Sequence, residues 1–262
     1  MNKAEINMFG EAFYRACLSH QQIDVPSLTH PDISYEEAYA IQNVFVDFLK
    51  KDGYTVSGKK VGLTSKAMRE AANIYEPDYG YIFSEMAYEN DSVLSFDNFI
   101  VPRIECELAF KLKKDLDMPN VTVKDVMEAT EYVVACMEVC DFRLYRDKVQ
   151  RLVQDSISDN AAFAAYVLGD MPVPVKDRDL SLVPYIFSVN NHVVEASCGA
   201  AVYDNPALSV AWLANTFNKL SDPLRKGEII LSGSAVASVA VQRGDHFRCG
   251  FGDFGEVSCT FV

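Results

Sequence analysis

The segment YVVACMEVC, at 132–140, constrains the fold more than any other, because it is apolar at both alternating positions. Successive side chains of a strand point to opposite faces, so such a run is typical of a strand that is covered on both sides. Glu138 interrupts the run, and an ionised carboxylate in these surroundings is costly unless it is paired or bound to a cation. The segment therefore predicts a buried strand whose single charged group has a partner.

A second segment, VPRIECELAF at 101–110, alternates between charged and apolar residues. Residues i and i+2 of a strand share a face, so Glu105 and Glu107 point the same way while Cys106 points to the core. The solvated outer face of an antiparallel strand would produce this pattern. The alternative is that the two carboxylates contribute to one site.

Glu138 has two kinds of candidate partner. Arg103 or Arg143 could form an ion pair with it. It could instead converge with Glu105 and Glu107 on one divalent cation, because three carboxylate oxygens suit Mg²⁺, and Mn²⁺ is tolerated by the same ligands.

The seven cysteines are odd in number and lie mostly among apolar neighbours. This pattern indicates reduced, buried thiols in a cytoplasmic protein rather than a disulfide framework. Cys136 and Cys140 share the strand parity of Glu138, so a zinc site with thiolate ligands is a further alternative. Buried cysteine more often serves as a small apolar residue.

The overall charge excludes some classes of partner. The chain has 37 acidic and 24 basic residues, for a net charge of -13, and it shows no basic cluster, so we expect no nucleic-acid partner. It has no run of about 18 apolar residues, so we expect no membrane helix. The first twenty residues include Glu5 and Glu11 and predict a helix rather than a secretory signal.

Helix signals concentrate near the N-terminus, and strand signals dominate the C-terminal part. Ser34 and Glu37 match a capping box, apolar residues at helical spacing follow, and Gly53 is placed to end the helix. This segregation predicts an α+β fold. We expect a small helical N-terminal part at 1–57 and a mixed-sheet body at 58–262.

Further helices are predicted within the body. Thr122 with Asp125 three residues later, and Asn205 before Pro206, are typical helix starts. Residues 65–83 predict a helix and a loop that are inserted between strands.

Other polar groups allow two interpretations each. Lys60 is either a surface lysine at a strand edge or, near apolar surface and a cation, a proton shuttle with a lowered pKa. Asp78 is by default a turn former. Residues 158–160, Ser-Asp-Asn, could begin a helix, and such a cap also leaves amide donors for an anion.

Seven segments, read in order, resemble the 2-keto-4-pentenoate hydratase group of the fumarylacetoacetate hydrolase superfamily. They are GKKVGLTSKAM, EPDYGYIF, VPRIECELAF, MEVCDFR, DSISDNAA, NPALSVAWLAN and GEIILSGS. The segments lie between residues 58 and 234, and the resemblance extends from about residue 33 to the C-terminus. The group includes 2-oxohept-3-ene-1,7-dioate hydratase and 4-oxalocrotonate decarboxylase.

The resemblance implies a fumarylacetoacetate hydrolase-like mixed β-roll core that binds Mg²⁺ or Mn²⁺. It implies Glu105, Glu107 and Glu138 as the metal ligands. Lys60 and Asp78 fall where the group places residues proposed for proton transfer.

On the substrate side the resemblance implies Leu63, Ser158, Asn160 and Ser234. The chain departs from the group at Val236, where the group commonly has a threonine with its hydroxyl. It also departs from the group in the loop at 143–154. Both departures concern the distal group of the substrate. Homo-oligomers built from dimers are usual in the group, and association with another enzyme of the pathway is a further option.

The implied activity is the addition of water to a 2-hydroxy-2,4-dienoate, giving a 4-hydroxy-2-oxo acid, in the meta-cleavage degradation of aromatic compounds. Decarboxylation of a 2-oxo-3-enedioate at the same metal site is the first alternative. The second alternative, from another class, is a non-catalytic assembly protein that binds a cation structurally.

Overall fold

Two β-sheets pack face to face in the computed structural model, and helices cover the other face of the larger sheet. The structure describes residues 1–65, 76–145 and 151–262. Most of the predicted helix and loop at 65–83 therefore lies outside the described residues, as does the middle of the loop at 143–154.

The described residues form five α-helices, and the helix starts predicted at Ser34, Thr122 and Asn205 are confirmed. The helices are α1 (Lys3–Ser19), α2 (Tyr35–Lys51), α3 (Val123–Ala129), α4 (Val153–Ser158) and α5 (Pro206–Lys219). The Ser34 hydroxyl accepts a hydrogen bond from the Glu37 N–H, and the Glu37 carboxylate accepts one from the Ser34 N–H. Thr122 and Asn205 cap α3 and α5. None of these helices combines the length and the apolar character that a membrane crossing requires.

The strands form two mixed sheets. They are β1 (Val56–Gly62), β2 (Asp78–Phe83), β3 (Ala87–Glu89), β4 (Ser92–Leu94), β5 (Pro102–Leu112), β6 (Thr130–Asp141), β7 (Phe163–Leu168), β8 (Pro184–Val189), β9 (His192–Cys198), β10 (Ile229–Leu231), β11 (Val239–Ala240), β12 (His246–Gly250) and β13 (Glu256–Phe261). The larger sheet has the order β2-β1-β10-β5-β6-β7-β3, and β11 pairs with the beginning of β5. The smaller sheet has the order β4-β13-β12-β8-β9. The predicted α+β class is confirmed.

The long strands β5 and β6 lie in the middle of the larger sheet and are covered on both faces. Ile104 and Met137 pack with Phe247 of the smaller sheet in one apolar cluster. Cys136 faces the opposite way and packs in a second cluster with Phe45 of α2. The prediction from the doubly apolar segment is therefore confirmed.

The predicted division between 1–57 and 58–262 falls inside β1, which begins at Val56. Phe45 of α2 belongs to the same apolar cluster as Ile82 of β2. The N-terminal helices and the sheet therefore share a core, and the division stays a prediction.

Residues 158–160 end a helix, so the helix start that was expected there is wrong. α4 ends at Ser158, and Asn160, Ala161 and Ala162 have φ angles of 52°, 50° and 60°. The left-handed region cannot continue a right-handed helix. The helix therefore ends there, and the carbonyl oxygen of Ala161 accepts a hydrogen bond from Lys60 of β1.

Gly10 allows α1 to lie directly on α2. A Cβ at this position would lie 2.5 Å from Val44 Cβ and 3.0 Å from the carbonyl oxygen of Ile41. We expect Gly10→Ala to lower the free energy of unfolding by about 1–2 kcal/mol, because overpacking outweighs the better helix propensity of alanine. Urea denaturation measures this change.

Gly250→Ala is the matched control, because a Cβ at Gly250 has no neighbour within 4 Å. Its effect should stay within about 0.5 kcal/mol. Equal stability of the two variants would show that the helix contact at Gly10 is not tight.

Candidate active site

The antiparallel register of β5 and β6 brings the three predicted glutamates together. Glu105 pairs directly with Glu138, and Glu107 pairs with Cys136 one step along the same face. Glu107 and Glu138 are fully buried, whereas Glu105 is half-buried at the wall of a cavity. The three carboxylates therefore share one face of the sheet.

Two of these carboxylates have an oxygen without a hydrogen-bond partner among the described residues. Glu107 Oε2 accepts a hydrogen bond from the Gly233 N–H at 2.7 Å, and Glu138 Oε1 accepts one from Lys60 Nζ at 2.6 Å. Glu107 Oε1 and Glu138 Oε2 are buried and make no such bond. Unpartnered buried carboxylate oxygens are costly, and hard divalent cations take them as ligands. The donor set therefore fits Mg²⁺ or a similar ion.

Cys140 adds a softer donor to the same place. Its Sγ and one carboxylate oxygen each of Glu105 and Glu138 lie within 4.8 Å of one another. Burial raises the pKa of the Cys140 thiol well above its usual value, and the neighbouring glutamates act in the same direction. The neutral thiol is therefore favoured. Zinc binds the thiolate form, so the raised pKa of Cys140 disfavours the zinc alternative.

Lys60 is the partner of Glu138, so the alternative in which Arg103 or Arg143 pairs with it is wrong. The Lys60 side chain is buried, and Nζ also donates to the carbonyl oxygen of Ala161 at 3.1 Å. Burial acts to lower the pKa of Lys60, but Glu138 and the other acidic groups nearby outweigh it and raise the pKa well above its usual value. The predicted lowering depends on a bound cation and stays a prediction, and the carboxylate in contact with Lys60 acts against it.

Asp78 is the first residue of β2 and pairs with Gly62 of β1, so it belongs to a strand rather than a turn. It is buried, and its Oδ1 has no hydrogen-bond partner among the described residues. A Cβ at Gly62 would clash with this oxygen, so glycine leaves the space that the carboxylate occupies. Burial raises the pKa of Asp78 to about 6, although Lys60 acts in the opposite direction.

The left-handed segment that presents the Ala161 carbonyl is fixed from two sides. Arg143 forms a buried ion pair with Asp159, and its Nη2 donates to the carbonyl oxygen of Phe163 at 2.8 Å. The Asn160 amide makes two hydrogen bonds of 2.8 Å with the backbone of Tyr81. Asn160 therefore positions the segment through β2, and a direct contact with substrate stays a prediction.

The other residues predicted on the substrate side differ in their surroundings. Leu63 lines the cavity. Ser158 Oγ donates to the carbonyl oxygen of Gln154 at 2.9 Å. Ser234 Oγ contacts the carbonyl oxygen of Cys106 at 3.1 Å, which ties its loop to β5. Substrate contact by Ser158 and Ser234 stays a prediction, and both hydroxyls bond to backbone.

The site opens onto a cavity of about 360 Å³, which suits a small organic acid. The described residues that line it are Lys60, Gly62, Leu63, Asp78, Arg103, Glu105, Cys140, Phe142, Arg151, Ser156, Ala161, Ala162, Ala237 and Ser238. Sequence reasoning did not assign Arg103, Arg151 or Ser238 to this wall. Arg103 could have been found, because it shares the strand parity of Glu105. Arg151 and Ser238 come from loops, whose position no periodicity encodes.

Comparison with known proteins identifies the family. Residues 61–262 match the family model described as fumarylacetoacetate (FAA) hydrolase C-terminal. The chain belongs to the fumarylacetoacetate hydrolase family. It is 42% identical over 246 residues to 2-oxo-hept-4-ene-1,7-dioate hydratase of Escherichia coli, and the alignment covers 92% of each chain. It is 36% identical over 263 residues to 2-hydroxyhexa-2,4-dienoate hydratase of Comamonas testosteroni, covering 100% of this chain and 99% of the relative.

A solved structure of the family has nearly the same backbone. The 4-oxalocrotonate decarboxylase from Pseudomonas putida G7, complexed with magnesium and adipate, matches with a TM-score of 0.94 at 27% identity. The match covers 100% of this chain and 99% of that one. The predicted fumarylacetoacetate hydrolase-like fold with its helical N-terminal part is therefore confirmed.

The cavity carboxyls should make the stability of the protein pH-dependent when a chelator removes metal ions. Burial, reinforced by Glu138, raises the pKa of Glu105 from 4.5 to about 7. The folded protein then keeps a proton that the unfolded chain releases above about pH 4.5, so this contribution to stability falls as pH rises to about 7.

We therefore expect the free energy of unfolding to fall less between pH 5 and pH 7.5 in Glu105→Gln than in wild type. Urea denaturation in EDTA measures this difference. Glu131→Gln is the control, because Glu131 is exposed on β6. An unchanged pH dependence in Glu105→Gln, matching wild type and control, would contradict the assignment.

Proposed function

We propose that the chain is a divalent-metal-dependent hydratase that adds water to a 2-hydroxy-2,4-dienoate and yields a 4-hydroxy-2-oxo acid. The observation that carries the proposal is the pair of unpartnered, buried oxygens of Glu107 and Glu138 on the face of the sheet where Glu105 and Lys60 line a cavity. Relatives that cover almost the whole chain are named as hydratases of this substrate class. The implied setting is the meta-cleavage degradation of aromatic compounds.

Mg²⁺ is the ion that we propose, with Mn²⁺ accepted by the same ligands. Glu105, Glu107 and Glu138 would hold it, because oxygen donors favour hard ions. When bound, it supplies Lewis-acid stabilisation for the negative charge that develops on the 2-oxygen of the substrate. The similar decarboxylase structure contains magnesium, which supports the choice.

Lys60 and Asp78 are the residues that we propose for proton transfer. Both line the cavity, and they lie on the neighbouring strands β1 and β2. A pKa of about 6 lets Asp78 accept and release a proton near neutral pH. Moving a proton from the 2-hydroxyl to C5 converts the dienol into a 2-oxo-3-enoate. Water then adds at C4, and the proton returned to C3 completes the 4-hydroxy-2-oxo acid.

Replacement of Glu107 tests the ligand assignment. We expect Glu107→Gln to lower Mg²⁺-dependent turnover at least about 100-fold, since even changes of outer-shell groups cost 10- to 100-fold. The fold should persist, because the glutamine oxygen can still accept from the Gly233 N–H. A spectrophotometric assay of 2-hydroxypenta-2,4-dienoate measures the loss.

The same variant should lose the increase in melting temperature that Mg²⁺ gives the wild-type protein. Glu131→Gln again serves as the control and should keep both responses. Full Mg²⁺-dependent turnover in Glu107→Gln would refute the role of Glu107 as a ligand.

Decarboxylation of a 2-oxo-3-enedioate is the second candidate function. The TM-score of 0.94 to 4-oxalocrotonate decarboxylase favours it, because the same site could stabilise the charge left by a departing carboxylate. We expect the protein to hydrate 2-hydroxypenta-2,4-dienoate and to release no CO₂ from 4-oxalocrotonate in the presence of Mg²⁺. Stoichiometric CO₂ release would identify a decarboxylase instead. Turnover of neither acid would favour the non-catalytic alternative, which the named hydratase relatives oppose.

We further propose a cytoplasmic homo-oligomer built from dimers, which is also open to association with another enzyme of its pathway. All seven cysteines are free, which agrees with a reducing compartment. The edge strand β9 exposes Val193 and Val194, by 62% and 44%, and a second copy could cover them. Sedimentation velocity would test the oligomeric state.

A further inference from the structure

We propose that Gln42, on helix α2, is a positioning residue for proton transfer, because its side-chain amide fixes the strand of Asp78 against the segment that holds Lys60. This inference rests on the proposed function, which assigns proton transfer to Lys60 and Asp78. It gives a part in the active site to the N-terminal helices, which lie outside the region 61–262 that the family model matches.

Gln42 is fully buried in α2, although glutamine is seldom buried completely. Its Nε2 donates to the carbonyl oxygen of Tyr79 at 2.9 Å and to that of Ile157 at 3.0 Å. Carbonyl oxygens only accept hydrogen bonds, so the amide cannot be turned over without losing both of these bonds. The orientation of the amide is therefore fixed.

That orientation leaves the other polar atom of the amide without a partner. Gln42 Oε1 is buried and has no hydrogen-bond partner among the described residues. An unpartnered buried oxygen destabilises a fold, and native proteins contain few of them. A group of this kind is typical of positions where function constrains the fold.

The first of the two carbonyls lies on an edge strand. β2 ends the strand order of the larger sheet, and no described strand pairs with its outer edge. Side-chain amides take the place of a neighbouring strand there. The Asn160 amide bonds to both backbone groups of Tyr81. Gln42 supplies the amide at Tyr79, which directly follows Asp78 in the chain.

A second contact from α2 reaches the same residue of β2. The Tyr39 ring stacks on the Tyr79 ring, with the ring centroids 4.2 Å apart and the ring planes 10° apart. Tyr39 and Gln42 are three residues apart, so they lie on the same face of the helix. α2 therefore holds the start of β2 through one ring and one amide.

The second carbonyl belongs to α4. Ile157 precedes the left-handed segment in which the Ala161 carbonyl oxygen accepts a hydrogen bond from Lys60 Nζ at 3.1 Å. One amide nitrogen thus ties the strand that carries Asp78 to the helix end that leads to Ala161. Lys60 and Asp78 line the same cavity. The relative position of the two groups proposed for proton transfer therefore depends on Gln42.

Gln42→Met tests the inference, because methionine has nearly the same length but no hydrogen-bond donor. We expect kcat for 2-hydroxypenta-2,4-dienoate with Mg²⁺ to fall about 10- to 100-fold, since a displacement of about 1 Å can cost 100-fold. KM should change less than about threefold. The increase in melting temperature that Mg²⁺ gives should persist, because the proposed metal ligands lie on β5 and β6.

Ile41→Val is the control for a general loss of stability. It trims a fully buried side chain of the same helix, which has no contact with the proposed proton-transfer residues in the apolar cluster that it joins. It should keep the wild-type kcat. A fall in kcat that Ile41→Val reproduces would overturn the inference, and so would an unchanged kcat in Gln42→Met.

A double mutant separates positioning from a merely structural role. In the background of Asp78→Asn, Gln42→Met should lower kcat less than about threefold further, because the relay that it aligns has already lost one member. Equal losses in the two backgrounds would overturn the inference. Loss of the Mg²⁺ response in Gln42→Met would also overturn it, since it would show damage to the whole site.

Gln42→Glu carries the test if Gln42→Met fails to fold. Burial favours the protonated carboxyl group, which can donate to one of the two carbonyl oxygens. We expect this variant to lose about 3- to 10-fold in kcat, and less than about twofold in the Asp78→Asn background. Failure of both variants to fold would show a structural role alone and would overturn the inference.

The same assay separates this inference from the proposed function. If wild type does not turn over the dienoate, the hydratase function fails, and the inference fails with it. If Asp78→Asn keeps full activity, the proposed proton-transfer role of Asp78 fails. If Asp78→Asn loses activity while Gln42→Met keeps it, only the inference fails.

Discussion

The pairing of β5 with β6 is the constraint on which the site depends. These strands have 11 and 12 residues, and their register places Glu105 opposite Glu138. A shift by one residue would turn every side chain of a strand to the opposite face. Both faces of the sheet are packed with apolar residues. Such a shift would therefore turn charged side chains into one apolar cluster and remove apolar side chains from it. The cost of that shift fixes the geometry of the acidic group.

The acidic group is unfavourable by itself, and this property suits it to bind a cation. Glu107 and Glu138 are fully buried, and among the residues that the structure describes Lys60 forms an ion pair with Glu138, whereas Glu107 has none. Burial therefore raises the pKa of Glu107 well above its usual value. A fold tolerates such a destabilising group only when the rest of its packing is favourable. Groups of this kind are common at functional sites. The two packed clusters on either side of the sheet provide that packing.

A second set of polar residues fixes the loops around the cavity. The Arg143–Asp159 ion pair and the Asn160 amide hold the left-handed segment against β2. Ser234 ties the opposite loop to β5, and the Gly233 N–H reaches Glu107 from the same loop. Asn160 and Ser234 bond to backbone, so their effect on chemistry would come through the position of other residues. These contacts therefore fix two loops beside the glutamates.

The sequence by itself determined the α+β class, the caps of α2, α3 and α5, and the faces of β5 and β6, because these depend on local periodicity and capping. It also indicated that Glu105, Glu107 and Glu138 could converge. Only the tertiary structure decided that Lys60 pairs with Glu138, that residues 158–160 end a helix, and that Arg103 and Ser238 share a cavity wall. These relations join residues that are far apart in the chain, and their energies depend on burial and on neighbouring charges. No local pattern records such distances, since strand order and loop direction are set by the packing of the whole chain.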